Sequence, residues 1–298
     1  MQPATNPRYS PRHTLYIWSA GLLLFAASTA IAGAPEHQER RFTVKGHPVV
    51  VLQNIVNGRI EVKSAPNSEV IVASTAPADQ VAMDIEQVGD RIDISASALH
   101  PSAQAEDPEA DFQLTVPEQT ELQLKTQTGL IYVEQVTGDM KLESVAGDIH
   151  LKEVSGYIIV KTTGGSLRCT LCSGKLEFTS ISGNAQVLQP ALTNVSLMTT
   201  SGNILYDGDF IRTGIYSMKS GKGVVEVRFS GSDSFDLNAQ TNYGTVDNQA
   251  AEFLKPDTHV HRHVASRYAH SLFGTVGQGL AKVELSSYSG TIRILKRN

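Results

Sequence analysis

The densest set of metal-ligating side chains is Thr258-His259-Val260-His261-Arg262-His263, with His270 nearby. On a strand, alternate residues share a face, so His259, His261 and His263 could bind one transition metal together. Arg262 among them suits an exposed polar loop instead, and no metal is assigned. Cys169 and Cys172, in Cys-Thr-Leu-Cys, are the only cysteines. A redox motif would sit beside a βαβ pattern, and a zinc site would need a second ligand pair; neither is present. The pair is expected as two buried thiols acting as small hydrophobes, with a local disulfide as the alternative in an oxidising compartment.

Three other chemistries fail on spacing. Calcium-binding β-rolls stack an Asp in every turn, whereas here Asp follows the recurring glycine only at Asp139 and Asp148. Polysaccharide cleavage needs paired carboxylates on one face, and the outward positions offer no close pair. No Gly-x-Ser-x-Gly elbow occurs. The expectation is therefore no catalytic residue, no cofactor, no metal and no enzyme activity.

These side chains hang on a repeat. Gly129, Gly138, Gly147, Gly156, Gly165, Gly174 and Gly183 fall every ninth residue. Apolar residues stand two after each glycine (Ile131, Met140, Ile149, Ile158, Leu167, Leu176) and four after it (Val133, Leu142, Leu151, Val160, Cys169, Phe178, Val187). Val136, Val145, Val154, Cys172 and Ile181 stand two before. Alternation with a period of two predicts a strand with one buried face. Ser or Thr before the glycine predicts a tight turn, with glycine supplying φ > 0. A nine-residue unit cannot bury its own apolar face, but stacking on neighbours solves that. The predicted fold is all-β: a parallel β-solenoid of nine-residue strand-turn repeats, two repeats per coil, with a less regular N-terminal capping part.

Residues 18 apart should then stack in columns. Tyr132, His150, Arg168 and Gln186 form one. On the opposite side Tyr157 and Ile159 are apolar yet outward, flanked by Asp139, Lys141, Lys175 and Glu177. Tyr157, Ile159, Lys141 and Lys175 are the candidate partner-contact residues, since an aromatic beside charges suits a sugar or a peptide.

The predicted organisation is a signal peptide at 1–32, an irregular β part at 33–111 and a regular solenoid at 112–298 with an insertion at 247–278. Arg8 and Arg12 precede the apolar run Leu15 to Ala27, and Ala30-Ile31-Ala32 is a small-x-small cleavage site. Uncleaved, Leu15 to Ala32 would be just long enough to span a membrane, and membrane contact is expected only there. A hydrophobic content of 41% suffices for a core. A formal net charge of −5 argues against nucleic acid as a partner.

The run Leu114-Thr115-Val116-Pro117, then Leu122-Gln123-Leu124-Lys125-Thr126, then repeated Ser/Thr-Gly-Asp-Ile phrases, resembles the bacterial putative-adhesin family DUF4097 over roughly residues 42–295. The resemblance implies an exported, non-catalytic β-solenoid in the periplasm or on the cell surface. Its expected role is adhesion or envelope interaction, with a protein or glycan partner. The alternative is a carbohydrate-binding or carbohydrate-cleaving protein on the same scaffold.

Overall fold

A computed structural model describes residues 35–100, 108–256 and 270–297. The N-terminal strands are β1 (Glu36–Thr43), β2 (Val49–Asn54), β3 (Arg59–Ala65), β4 (Glu69–Ala76), β5 (Val81–Val88), β6 (Arg91–Ala98) and β7 (Asp111–Pro117). The regular run comprises β8 (Glu121–Thr126), β9 (Leu130–Glu134), β10 (Met140–Ser144), β11 (Asp148–Lys152), β12 (Ser155–Thr162), β13 (Leu167–Thr170), β14 (Ser173–Ser180), β15 (Ala185–Leu188), β16 (Ala191–Thr199), β17 (Ile204–Asp207), β18 (Ile215–Ser220) and β19 (Val225–Phe229). Six more follow: β20 (Phe235–Thr241), β21 (Thr245–Asn248), β22 (Leu254–Pro256), β23 (His270–Val276), β24 (Ala281–Ser287) and β25 (Thr291–Lys296). Among the described residues there is no helix.

From β8 to β21 the chain alternates between two sheets. Sheet A runs β1-β4-β7-β3-β9-β11-β13-β15-β17-β19-β25-β21, and sheet B runs β22-β23-β20-β24-β18-β16-β14-β12-β10-β8-β2-β6-β5. Neighbours in the regular run are parallel; as far as β15 they stand 18 residues apart, as in Leu122↔Met140 and Met140↔Ile158, and beyond it the spacing widens, as in Leu176↔Val195 and Val195↔Tyr216. One apolar core fills the space between the sheets. Ile131, Met140, Ile149, Ile158, Leu167 and Leu176 are all at most 1% exposed, as the alternation predicts. Each contributes about 1.5–3 kcal/mol on burial before conformational entropy is subtracted.

The two corners of a coil differ. Passing from sheet B to sheet A, a buried Ser or Thr accepts the amide of a glycine three residues on: Gly147 to Ser144 Oγ at 2.7 Å, Gly165 to Thr162 Oγ1 at 2.8 Å, Gly183 to Ser180 Oγ at 2.7 Å. The pattern continues at Thr199–Gly202, Ser220–Gly223, Thr241–Gly244 and Ser287–Gly290. Passing from A to B, Gln135, Glu153, Leu171 and Gln189 adopt left-handed conformations (φ 58, 54, 56 and 48).

This division corrects two expectations. Gly138, Gly156 and Gly174 do have positive φ, as does Gly129 at the first corner from sheet B to sheet A, but Gly147, Gly165 and Gly183 do not. Those three are glycine because a β-carbon would come closer than 3.0 Å to the carbonyl of the glycine in the coil beneath. Val145 and Ile181 are 51% and 58% exposed rather than inward, because Ser144 and Ser180 take the buried slot and the chain then turns outward. Val136, Val154 and Cys172 lie at the other kind of corner and are buried. A third correction concerns the cysteines: Cys169 and Cys172 form a disulfide instead of remaining two thiols.

Neither end of the stack follows chain order. Coil β24/β25 pairs with β18/β19 on one side and with β20/β21 on the other, so it is seated between two coils that precede it. Gly290 accordingly lies against Gly223, and Gly244 against Gly290. At the other end β2/β3 sits between β8/β9 and β6/β7. Antiparallel strands then finish the sheets: β4 and β1 beyond β7, β5 beyond β6, and β23 with β22 beyond β20. Residues 33–298 form a compact unit of their own.

The β17–β18 connection carries Phe210 back into the core against Tyr206, Tyr216 and Phe235. Asp233 is buried beside this cluster and accepts the amides of Ser230 (2.9 Å) and Phe210 (3.4 Å). Burial raises its pKa above the ordinary carboxylate value, partly offset by these amides.

Candidate functional site

Strand β12 places Tyr157 and Ile159 on the outer face of sheet B, because Ile158 and Val160, which alternate with them, are buried. Parallel register sets Lys141 and Glu177 on either side of Ile159, and Lys175 beside Tyr157. All four candidate contact residues are therefore brought together on one face. Tyr157 is 37% exposed and its hydroxyl donates to Glu177 Oε1 at 2.6 Å. That bond raises the tyrosine's pKa, since ionisation would set two negative charges against each other. Lys141 Nζ lies 2.9 Å from Glu143, whose pKa is lowered by that bond and by the charges of Lys141, Lys125 and Lys161.

The same two columns continue along the face. From Tyr157 the register runs through Lys175, Asn194, Ile215, Lys282 and Asp236 to Thr275. From Ile159 it runs through Glu177, Ser196, Ser217, Glu284 and Asn238 to Phe273. At the far end lies an open groove of about 520 Å³, whose lining includes Ile215, Asp236, Asn238, Phe273, Lys282 and Glu284. Sequence reasoning missed this groove. Phe273 reaches it through an antiparallel strand, and Lys282 through the inserted coil; no local spacing announces either.

The carboxylates of this strip are engaged. Glu284 pairs with Lys219 at 3.2 Å, and Asp236 accepts Thr275 Oγ1 at 2.9 Å. The opposite face, on sheet A, holds the column Tyr132, His150, Arg168 and Gln186 in the expected order. It is laced with ion pairs, Lys152–Glu134 and Lys63–Glu61 both at 2.6 Å. Asp148 spends its carboxylate on the amide of Ser166 at 2.7 Å, which ties one coil to the next. Among the described residues no group of three His, Cys, Asp or Glu side chains could hold a metal ion. His259, His261 and His263 lie outside the described residues, as do residues 1–32.

The family model described as Toastrack DUF4097 matches residues 57–295. Among solved structures, a putative adhesin of Bacteroides fragilis is 11% identical, covering 88% of this chain and 97% of its own, with a TM-score of 0.41. A putative lipid binding protein of Parabacteroides distasonis is 11% identical, covering 89% and 98%, with a TM-score of 0.33. A putative cell adhesion protein of Clostridium sporogenes is 9% identical, covering 88% and 100%, with a TM-score of 0.28. No curated protein matches the sequence.

Proposed function

Because the chain belongs to the Toastrack DUF4097 family, we propose that it is an exported, non-catalytic scaffold of the cell envelope that holds a partner on the outer face of sheet B. The observation that carries this is the alignment of the Tyr157–Ile159 patch with the Ile215–Phe273 groove in the same two columns. Six strand steps separate β12 from β23, giving a strip of roughly 29 Å, long enough for an extended partner. Carboxylates held by Lys141, Lys219, Tyr157 and Thr275 suit holding a partner better than proton transfer to it. The basic, apolar and small-residue order of residues 1–32 supports export, and a disulfide suits an oxidising compartment.

The test is envelope pull-down at equal folded content. Tyr157→Ser/Ile159→Ser and, separately, Phe273→Ser should each weaken capture roughly tenfold. Capture unchanged by both would refute the assignment of this face. Export has its own check. Trp18 is the only tryptophan, so protein recovered from the envelope should lack indole fluorescence if the leader is removed.

A further inference from the structure

The corners leading from sheet B to sheet A form a continuous edge, and its composition is unusual for surface. Ile55, Val145, Ile181, Tyr288 and Tyr243 all lie on it, 50%, 51%, 58%, 56% and 73% exposed. Gln127, Thr163, Thr200 and Gly221 occupy corners between them, and Met198, 49% exposed, stands just before the corner at Thr199. None of these exposed apolar side chains contributes to the core. Tyr243 and Tyr288 meet edge to face at 5.1 Å. They are neighbours only because β24/β25 is seated beside β20/β21.

Part of the backbone of this edge is bonded within it. The amide of each corner bonds to the corner beneath: Gly164 to Val145, Ser182 to Thr163, Ser201 to Ile181, Lys222 to Thr200, Ser289 to Gly221 and Tyr243 to Tyr288. These amides can meet an apolar medium without being stranded, while outward carbonyls stay at the level of the polar headgroups. Lysines flank the line. Lys125, Lys161 and Lys219 each immediately precede a corner, and Lys222 lies in one. Lys125, Lys161 and Lys222 have no carboxylate within ion-pair distance among the described residues, while Lys219 is held by Glu284. Two acids beside the line have partners, Glu143 in Lys141 and Asp148 in the Ser166 amide.

We infer that this edge is a membrane-contact edge for an anionic lipid surface. Ile, Val and Tyr side chains enter the interface and lysines meet the headgroups. The eight coil steps from Ile55 to Tyr243 span roughly 38 Å, and a line one or two side chains wide offers on the order of 400 Å². That is about half of what each partner buries in a standard protein–protein interface, whereas a bilayer accepts a shallow ridge along its length. This contact borders the sheet B strip, Lys161 following Ile159 by two residues on β12, but does not use Tyr157, Ile159 or Phe273, and it is separate in sequence from residues 1–32, the only membrane-contacting part expected from the sequence.

The test uses residues 33–298, the compact unit, with vesicles of phosphatidylcholine alone or with about one-third phosphatidylglycerol. The protein should cosediment with the anionic vesicles and at least roughly tenfold less with the neutral ones. Ile181→Ser/Tyr243→Ser/Tyr288→Ser and Lys125→Glu/Lys161→Glu/Lys222→Glu should each lose at least about tenfold while melting like the parent, because all six side chains are exposed. Tyr157→Ser/Ile159→Ser should bind vesicles normally, which keeps this test distinct from that of the sheet B face. No binding to anionic vesicles, or binding unchanged in both edge variants, would overturn the inference. Loss of a protein or glycan interaction by the edge variants without any vesicle binding would overturn it too.

Discussion

Gly164 and Gly165 stand side by side in one corner and should respond oppositely to alanine. At Gly165 a β-carbon would lie 2.7 Å from the carbonyl carbon of Gly147, closer still to its oxygen, and 3.0 Å from Thr162 Oγ1. Ordinary contact needs 3.4 Å or more, so this coil must lift from the one beneath by roughly an ångström. Inter-coil bonds such as Gly164 N to Val145 O (2.8 Å) and Thr163 N to Val145 O (3.2 Å) would then fail. Two or three such bonds at about 1 kcal/mol each, plus about 1–2 kcal/mol for loosened core contacts, predict a loss of about 3–5 kcal/mol. For a unit of this size that is a melting temperature lower by roughly 8–15 °C. At Gly164 the nearest atoms are 3.7 and 3.8 Å away and φ is not positive. Gly164→Ala should therefore be neutral or stabilising by up to about 1 kcal/mol, through the unfolded chain. Thermal melts of the two single variants decide the matter. If Gly165→Ala melts with Gly164→Ala, close approach is not why this column is glycine.

Three further outcomes are expected. Cys169→Val/Cys172→Val should fold, because neighbouring coils carry Leu151 and Val187 beside Cys169; closing so short a loop is worth about 2 kcal/mol at most, and a larger loss in denaturant titration would contradict this. Leu171→Asn should raise stability by about 0.5–1 kcal/mol, since Asn tolerates the left-handed conformation that Leu171 is held in while 45% exposed; an unchanged or lower melting temperature would count against it. Asp233 has a raised folded pKa, so the native state binds more protons than the unfolded chain between the ordinary carboxylate value and the raised one, and stability falls as pH rises through that window. The advantage of Asp233→Asn over the parent should therefore grow with pH across the window and then level off; a difference independent of pH would show that the charge is not penalised.

Most of the coil was legible because strand alternation is a local property. Met140, Ile149 and Ile158 could be assigned inward from their own neighbours alone, and the Lys141, Ile159 and Glu177 adjacency followed once the 18-residue register was set. The two corners were merged because a glycine recurs every ninth residue at both, although Ala146 and Gly164, not Ser or Thr, precede Gly147 and Gly165. The Ser/Thr-x-x-Gly spacing that separates them, as in Ser144–Gly147 or Thr162–Gly165, was present but unread. Val145 and Ile181 were misplaced for that reason. The order of coils at the C-terminal end was not legible. Val283 and Leu285 carry the same alternation whether they extend the stack or enter it, and only the competition between coils for one seat decides. The groove beside Phe273 inherits that indeterminacy.

The seating of β24/β25 between older neighbours also bears on how the chain can assemble and come apart. While residues 281–296 are still unmade, β20 and β21 lack the strands that flank them on the side facing β18 and β19, and closing β20/β21 directly onto β18/β19 would shut the later coil out. Assembly of this end therefore has to wait for distant chain, a long loop closure that slows folding. The reverse process is hindered in the same way. A stack in chain order can be unzipped one coil at a time from its tail. Here, pulling on the tail draws first on a coil clamped on both faces, so the C-terminal end should resist peeling until several coils yield together.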